Sequence, residues 1–404
     1  MTSDPILPLA EAQDIAAAAA AAGTSHTPTV AQESAADDFH TPTTWQKVTE
    51  EFAEELGAEE PTEAPSLGGR LASKRTLFSL LFAFSLLGFF LYRQGVATLV
   101  DSWAQIRAAN PVLLLAALGA YYLAFPVRSR RWQQLLANSG EPAERIPAVK
   151  DLAEIIYLSW FANSIVPAKL GDIYRGWLLR RTAGVKWSHA MGTIVAERVL
   201  DVIVLVCLVI VTGLLTYGDV LHQALVGGPL SCLESGVHLE AISCTLLQLF
   251  VIGGIVAATL VIGLLVFSRF GGHVERFLPA RLAHVYQTFA GALILSFGQF
   301  PWLLGLSLLA WLAEGTAFWF VGLALGYHLP IPLVIFFSLL QAFVTTIPLT
   351  PGGLGFESVL AGALGLKGFP AGTALALTLT YRAISYLSLV LGGAVVYTFS
   401  KKTK

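Results

Sequence analysis

Charged residues with the potential to bind a ligand lie inside apolar runs that are otherwise typical of membrane helices. Glu197, Arg198 and Asp201 fall within one such run, and Glu314 and Arg382 fall within two others. Glu197 and Asp201 are four residues apart, so they share one face of a helix. A charge at the centre of a bilayer costs from about 3 kcal/mol upward, so these side chains should face a partner or a polar cavity. The pattern fits ion pairs that hold helices together, a cavity for an anionic head group, or both.

Two further apolar segments are interrupted by proline and glycine beside a carboxylate. The first break reads PAKLGD, from Pro167 to Asp172, and the second reads PGGLGFE, from Pro351 to Glu357. Both have the form Pro-x-x-Leu-Gly followed by an acid, with one additional residue in the second copy. Arg198 and Arg382 each follow the proline of their break by 31 residues. Such paired breaks predict an internal repeat whose broken segments meet at a substrate site.

A broken helix has the chemistry to bind an anion. Within hydrocarbon, an unsatisfied backbone group costs several kcal/mol, so irregular backbone survives only inside protein or beside a wet cavity. The helix that restarts after a break presents free N–H groups and the positive end of its dipole, which favour an anion. We therefore expect nearby bases to contact lipid phosphate, and nearby acids to balance those bases or carry protons.

These arguments define two sets of candidate residues. The predicted head-group cavity comprises Lys169, Arg175, Arg198, Arg382, Asp172, Glu197, Asp201, Glu314 and Glu357. The predicted hairpin tips comprise Asn163, Pro167, Gly171, Pro348, Pro351, Gly352, Gly353 and Gly355. The sequence predicts no catalytic residue, metal site or cofactor, because it contains no Ser/His/Asp set and no metal-spaced cysteine or histidine group.

The composition predicts an integral membrane protein with an acidic tail. Hydrophobic residues make up 55% of the 404 residues and charged residues only 13%, with a mean hydropathy of +0.67. A soluble domain carries about 25% charged residues. Residues 1–75 hold 13 acids and four bases and are rich in Ala, Thr and Pro. We expect this segment to be a disordered cytoplasmic tail, since it cannot bury enough apolar surface to offset its ordering entropy.

Apolar runs of membrane-spanning length predict six transmembrane helices, because a spanning helix needs about 20 apolar residues. The predicted spans are Thr76 to Leu91, Pro111 to Val127, Gly192 to Leu215, Ile242 to Phe267, Pro301 to Leu325 and Gly372 to Phe399. Two further runs are shorter or broken, Asp151 to Val166 and Ile331 to Leu349. Cytoplasmic loops of membrane proteins carry an excess of Lys and Arg. The basic clusters of this chain all lie on the cytoplasmic side only if these two runs enter the bilayer and return to the side from which they came.

We therefore predict an all-α polytopic protein of the cell (inner or plasma) membrane, with both termini cytoplasmic. It would have six spanning helices and two re-entrant helical hairpins in an inverted repeat; eight plain spanning helices are the alternative. Arg128, Arg130 and Arg131 are assigned to a cytoplasmic cluster that sets this topology or binds anionic lipid head groups. Cys232 lies in the predicted outside loop 217–241 and Cys244 lies just beyond its end; the two would form a disulfide or stay as unpaired thiols.

Three of these motifs together resemble the transmembrane region of lysylphosphatidylglycerol synthases, also called the flippase-like domain family. They read NSIVPAKLGDIYRGWLLRR, ERVLDVIVL and PLTPGGLGFES, in that order, and the resemblance covers roughly residues 75–400. In fused members the resemblance implies a domain that moves an aminoacylated lipid between leaflets, beside a soluble domain that makes the lipid. This chain ends at Lys404, so we expect a stand-alone member, with residues 76–400 as the flippase-like domain and without the aminoacyl-transfer domain.

The leading functional hypothesis is a lipid transporter that moves an anionic or modified phospholipid, or a lipid-linked head group, between leaflets. Membrane lipids, above all anionic phospholipids, are the expected partners, together with a lipid-modifying enzyme; no nucleic-acid partner is expected. The alternatives are a non-transporting membrane partner of a lipid- or envelope-modifying enzyme, and a membrane-embedded transferase. No catalytic motif favours an enzyme.

Overall fold

A computed structural model describes residues 74–165, 170–226, 238–274, 278–346 and 357–402 of the chain. All regular secondary structure in these ranges is helical. The thirteen α-helices are α1 Lys74–Gln94, α2 Val96–Ala108, α3 Pro111–Asn138, α4 Val149–Ile165, α5 Leu170–Ala183, α6 Trp187–Val226, α7 His238–Val274, α8 Ala280–Leu295, α9 Phe300–Ala324, α10 Ile331–Thr346, α11 Glu357–Gly365, α12 Ala371–Arg382 and α13 Ser388–Phe399. The predicted disordered tail lies outside the described residues, apart from its last two positions at the start of α1.

Five stretches of helix in the described ranges are long and apolar enough to cross a membrane. They are Pro111–Asn138, Trp187–Asp219, Val251–Val274, Phe300–Ala324 and Ala371–Phe399. Each contains or overlaps one of the six predicted spans, and the remaining predicted span, Thr76 to Leu91, lies within α1. The prediction of an all-α polytopic membrane protein is therefore confirmed. The division into six spans and two re-entrant hairpins stays a prediction.

Helices α3 and α9 pack against each other as an antiparallel pair. The Asn110 side chain caps α3 by accepting a hydrogen bond from the Val112 backbone N–H at 2.9 Å. Its own backbone N–H donates to the Ala324 carbonyl at the end of α9, also at 2.9 Å. At the opposite end of α3, Asn138 Nδ2 donates to the Ser296 carbonyl just before α9, at 3.1 Å. The two helices are thus joined at both ends, which sets facing side chains in register.

The first broken segment forms a tight helical hairpin of α4 and α5. The Asn163 side chain on α4 accepts a hydrogen bond from the Gly171 backbone N–H on α5 at 2.8 Å. A Cβ at position 171 would collide with the Ser159 carbonyl and with Asn163. Only glycine allows the two legs to approach this closely. Helices α4 and α5 therefore pack closely against each other, whereas the re-entrant hairpin stays a prediction, since Pro167 and Lys169 between them lie outside the described ranges.

The second broken segment includes two described helices, α10 and α11. Helix α10 ends at Thr346, and α11 begins at the acid of the second motif, Glu357. The two helices contact each other. The predicted tip residues Pro348, Pro351, Gly352, Gly353 and Gly355 all lie outside the described residues.

The C-terminal helix α13 packs against the first leg of the first hairpin. Close approach depends on two glycines, because a Cβ at Gly392 or Gly393 would collide with Tyr157 or Phe161 of α4. Beyond the helix, Lys402 Nζ pairs with Asp151 at 3.0 Å and also contacts Glu154. The base of the first hairpin and the end of α13 therefore lie together. The predicted topology places both of these segments on the same side of the membrane.

Candidate functional site

Eight charged side chains form one connected network of ion pairs between α3, the first hairpin, α6 and α9. The network contains four arginines and four acids. Its members are Arg128, Arg131, Arg175, Arg198, Asp172, Glu197, Asp201 and Glu314. Buried charges are tolerated only when they are paired, so the equal numbers of the two signs account for their survival in an apolar protein.

Arg131 lies at the centre of this network. Its Nη1 and Nη2 atoms donate to the two carboxylate oxygens of Asp201 at 2.6 and 2.9 Å. Nη1 also donates to Ser307 Oγ at 2.8 Å, and Nη2 lies 3.3 Å from Glu197. The side chain is completely buried. Bidentate pairs of this kind are among the strongest charge-assisted hydrogen bonds and determine orientation as well as charge.

Arg128 extends the network to the acid in α9. Its Nη2 atom donates to Glu314 Oε1 at 2.7 Å, and Nη1 lies 3.6 Å from Asp201. The guanidinium also lies over the rings of Trp160 and Trp311, with 5.1 and 4.6 Å to their centroids. Cation–π contacts of this kind compensate part of the lost hydration of a buried arginine.

The prediction that Arg128 and Arg131 share a lipid-binding cluster with Arg130 is wrong, whereas their cytoplasmic side stays a prediction. Both are buried, and only Arg130 between them is exposed. The physical reason is helical geometry, because residues three apart share one face of a helix, whereas Arg130 points away from that face. Arg128 and Arg131 continue the apolar stripe of α3 that includes Trp132 and Leu135, and this spacing is the signal that sequence reasoning overlooked.

Arg175 joins the network from the second leg of the first hairpin. Its Nη2 atom donates to Glu197 Oε2 at 2.7 Å, and its guanidinium lies 3.7 Å from the centroid of the Trp132 ring. The side chain is fully buried. Among the described residues, its Nε and Nη1 atoms have no hydrogen-bond partner. Arg175 therefore retains unused donors close to the break in the hairpin.

Arg198 and Asp172 form the accessible end of the network. Arg198 Nε and Nη2 donate to the two oxygens of Asp172 at 2.9 and 2.7 Å. The Arg198 side chain is 32% exposed and that of Asp172 is 16% exposed, whereas no other member of the network exceeds 9%. A ligand that approaches this network therefore reaches the Arg198–Asp172 pair before any other member.

The second copy of the repeat contains an equivalent but separate pair. Arg382 Nε donates to Glu357 Oε1 at 3.1 Å, and the guanidinium lies 5.2 Å from the centroid of the Tyr386 ring. Arg198 and Asp172 occupy the matching motif positions in the first copy, so in each copy the acid after the break pairs with the arginine 31 residues beyond the proline. The second pair is more buried, with 9% and 2% side-chain exposure.

A π-helical turn directly after Arg382, Ala383–Leu387, connects the two hairpins. Ser385 Oγ accepts a hydrogen bond from Gln341 Nε2 of α10 at 2.8 Å, and the Ser385 carbonyl accepts one from Tyr121 Oη at 3.0 Å. Tyr386 Oη donates to the Ser164 carbonyl at the end of α4, again at 3.0 Å. Such π turns are frequent at functional sites. The sequence contains no pattern that predicts this turn.

The structure thus brings six of the nine predicted cavity residues into one network and places Arg382 and Glu357 in a second pair. The ninth, Lys169, lies outside the described residues. The alternative interpretation is that ion pairs only hold the helices together, with Arg198 and Arg382 neutralising the acids in the apolar runs. The observed pairs agree with it only in part. Arg198 pairs chiefly with Asp172, while Arg131 and Arg175 neutralise Glu197, and Arg128 neutralises Glu314. The ligand-binding role of all nine residues stays a prediction.

No group of three or more His, Cys, Asp or Glu residues in the described ranges is arranged to hold a metal ion. Cys207 is exposed and unpaired. Cys232 lies outside the described residues, so its pairing with Cys244 stays an open prediction.

Comparison with known proteins relates this arrangement to families of membrane proteins. Residues 76–393 match the family described as the lysylphosphatidylglycerol synthase TM region. A UPF0104 membrane protein of Methanocaldococcus jannaschii is 32% identical over 238 residues, which cover 59% of this chain and 93% of that protein. The glycosyltransferase AglD of Haloferax volcanii is 26% identical over 279 residues, 62% of this chain. The chain covers only 42% of the length of AglD.

Proposed function

This chain belongs to the lysylphosphatidylglycerol synthase transmembrane-region family, and we propose that it carries the head group of an anionic or modified lipid between the two leaflets of a membrane. The lipid would be a phospholipid or a lipid-linked sugar carrier. Its head group would pass through the protein at the broken hairpins, while its acyl chains stay in the bilayer. The membrane would be the cell membrane, with both termini in the cytoplasm.

The observation that carries this proposal is the connected network of buried charges beside a broken helix. Stability alone does not explain such a network, because apolar residues of similar volume often stabilise a protein as well as a buried ion pair does. Ionisable residues at membrane depth usually mark the pathway of a substrate or an ion. The unused donors of Arg175 and the accessible Arg198–Asp172 pair support a polar binding site at this position.

The repeated pairs suggest how a head group would pass across the protein. Arg198–Asp172 and Arg382–Glu357 are the matching pairs of two repeat copies, and the Tyr386–Ser164 hydrogen bond links the segments that carry them. A head group would contact the first pair from one side and the second pair from the other. The chain contains no Walker motif, so movement would be passive or driven by an ion gradient.

Reconstitution into liposomes tests this function. Protein in vesicles that contain lipids with fluorescent acyl chains should speed the exchange of those lipids between leaflets, measured by the fraction that a membrane-impermeant quencher reaches. The double variant Arg198→Ala/Arg382→Ala should reduce this rate at least tenfold, and Arg130→Ala, which alters only an exposed arginine, should not. If the double variant exchanges lipid as fast as the wild type, the proposed roles of both pairs are wrong.

A second candidate function is a membrane partner of a glycosyl-transferring enzyme, favoured by the similarity to AglD. In this case the acidic N-terminal tail would dock onto the enzyme. Deletion of residues 1–70 distinguishes the two functions, because a transporter would keep its lipid exchange and a docking partner would lose its function in cells. An assay of the purified protein for lipid modification tests the remaining alternative, a membrane-embedded transferase.

A further inference from the structure

We infer that the Arg198–Asp172 pair receives a zwitterionic head group, one that carries a phosphate and an ammonium group together. This inference rests on the proposed function. Of the two lipid classes named there, anionic and modified, it selects a modified lipid whose head group carries no net charge. It follows from the charge balance of the network, from the exposure of this pair and from the hydrogen-bond capacity left on its two side chains.

The charge balance of the network limits which ligands can enter. Among the described residues, four arginines face four acids, and each member lies within 4 Å of at least one opposite charge. A ligand of net negative charge would leave one charge uncompensated in a region where unpaired ions cost several kcal/mol. A head group with one negative and one positive charge adds no net charge, so the network can receive it without taking up a proton or a counter-ion.

The exposure of the pair determines where such a ligand would bind. Arg198 and Asp172 are the most exposed members of the network, at 32% and 16% of their side chains. The other acids are enclosed, and the most exposed of them, Asp201, reaches only 9%. A ligand at this position therefore meets an arginine and a carboxylate at the same time, which matches a phosphate and an ammonium a few ångströms apart.

Both side chains keep hydrogen-bond capacity for that ligand. Arg198 uses Nε and Nη2 for Asp172, while its Nη1 lies 3.9 Å from Asp201, too far for a hydrogen bond. Nη1 can therefore donate to a phosphate oxygen. Each Asp172 oxygen accepts one bond from Arg198, and a carboxylate offers about four acceptor positions in total. An ammonium group can thus bind Asp172 without displacing Arg198.

The matching pair of the second repeat copy has the same charge composition. Arg382 and Glu357 are one base and one acid, with 9% and 2% exposure. A zwitterion that leaves the first pair would meet an equivalent combination of charges there. Both ends of the proposed path thus select for the same class of head group.

Competition between two lipids with the same acyl chains tests the inference. The probes are phosphatidylethanolamine, which is zwitterionic, and phosphatidylglycerol, which is anionic. Binding to the detergent-solubilised full chain is measured by native mass spectrometry, and leaflet exchange is measured in liposomes. We expect the wild type to bind the zwitterionic probe roughly tenfold more tightly, as one uncompensated charge in a poorly solvated site requires.

Charge variants make the expected result specific to the pair. Asp172→Asn leaves the network with one excess positive charge, so binding should shift toward phosphatidylglycerol by roughly tenfold or more. The double variant Asp172→Asn/Arg198→Gln restores neutrality but removes both groups that would bind the head group. It should keep a monodisperse size-exclusion profile and bind both probes weakly, without the wild-type preference. Asp219→Asn is the matched control, since Asp219 pairs with Lys367 outside the network and is 73% exposed; it should keep the wild-type preference.

The possible outcomes separate this inference from the proposed function. A wild type that binds phosphatidylglycerol as tightly as the zwitterion, or an Asp172→Asn variant with an unchanged preference, overturns the inference even if lipid exchange is fast. A third outcome is that the wild type prefers the zwitterionic probe and Asp172→Asn reverses that preference, while lipid exchange stays at the rate of protein-free liposomes. In that case the inference about the head group is supported and the proposed transport function is wrong. If Asp172→Asn does not fold, the double variant decides: a retained preference for the zwitterion overturns the inference.

Discussion

Arg131 and Asp201 form a buried bidentate ion pair that joins α3 to α6, with N–O distances of 2.6 and 2.9 Å. Arg131 also contacts Glu197, and Asp201 also contacts Arg128 and Arg198. Removal of one partner would leave a buried charge without compensation, which is far more costly than the pair itself is stabilising.

Arg131→Ala should therefore destabilise the protein by about 3–5 kcal/mol, the typical cost when one partner of a buried pair is removed. Arg130→Ala is the matched control, because that neighbouring arginine is exposed. Thermal unfolding of both variants in detergent, followed by tryptophan fluorescence, measures the difference. Equal midpoints for the two variants would contradict the buried network.

The Arg382–Glu357 pair should show strong energetic coupling. Glu357→Gln removes the carboxylate that pairs with the buried Arg382, so it should destabilise the protein more than the double variant Glu357→Gln/Arg382→Gln does. A double-mutant cycle on unfolding in detergent gives the coupling energy directly. Additive effects of the two single changes would show that the pair contributes nothing as a pair.

Gly171→Ala should disrupt the first hairpin, because the added methyl group collides with the Ser159 carbonyl and Asn163. Backbone atoms cannot move aside as a flexible side chain can, so both stability and lipid exchange should fall. The matched control is Gly119→Ala in α3, where nothing lies within 4 Å of the added atom. We expect this control to be neutral or slightly stabilising, since alanine favours helix over glycine by about 1 kcal/mol.

Tyr386→Phe removes the hydrogen bond that links the π-helical turn to the Ser164 carbonyl. We expect a loss of about 1 kcal/mol in stability, the usual net value of one hydrogen bond. Lipid exchange should fall further than this loss explains if the turn couples the two hairpins. Tyr92→Phe serves as the control, because Tyr92 is 82% exposed. Exchange at the wild-type rate in Tyr386→Phe would exclude a coupling role for this bond.

The inverted repeat predicts that the two hairpin tips meet, although both lie outside the described residues. Cysteines at Lys169 and Gly353, introduced into a chain whose three native cysteines are replaced by serine, should form a cross-link with a short bifunctional thiol reagent. A cysteine at Tyr92 combined with one at Lys169 should not. Absence of the first cross-link in folded protein would contradict the shared cavity.

The sequence alone identifies the four residues that form the matching pairs of the repeat. The matched proline-to-arginine spacing singles out Arg198 and Arg382, and the acids after each break single out Asp172 and Glu357. In the structure each of these acids pairs with the arginine of its own copy, a pairing that the sequence does not predict. These residues can be identified because each acid belongs to a short Pro-x-x-Leu-Gly motif and each arginine follows the proline of that motif by 31 residues.

The sequence by itself determines the membrane class of the protein, its helices and the two breaks, since these depend on local apolar length and on the backbone chemistry of proline and glycine. The tertiary structure alone decides which charges pair. Glu197 is adjacent to Arg198 in sequence, yet it pairs with Arg131 and Arg175. Neighbouring residues on a helix point in different directions, so the partner of each buried charge is determined by which helix packs against that face.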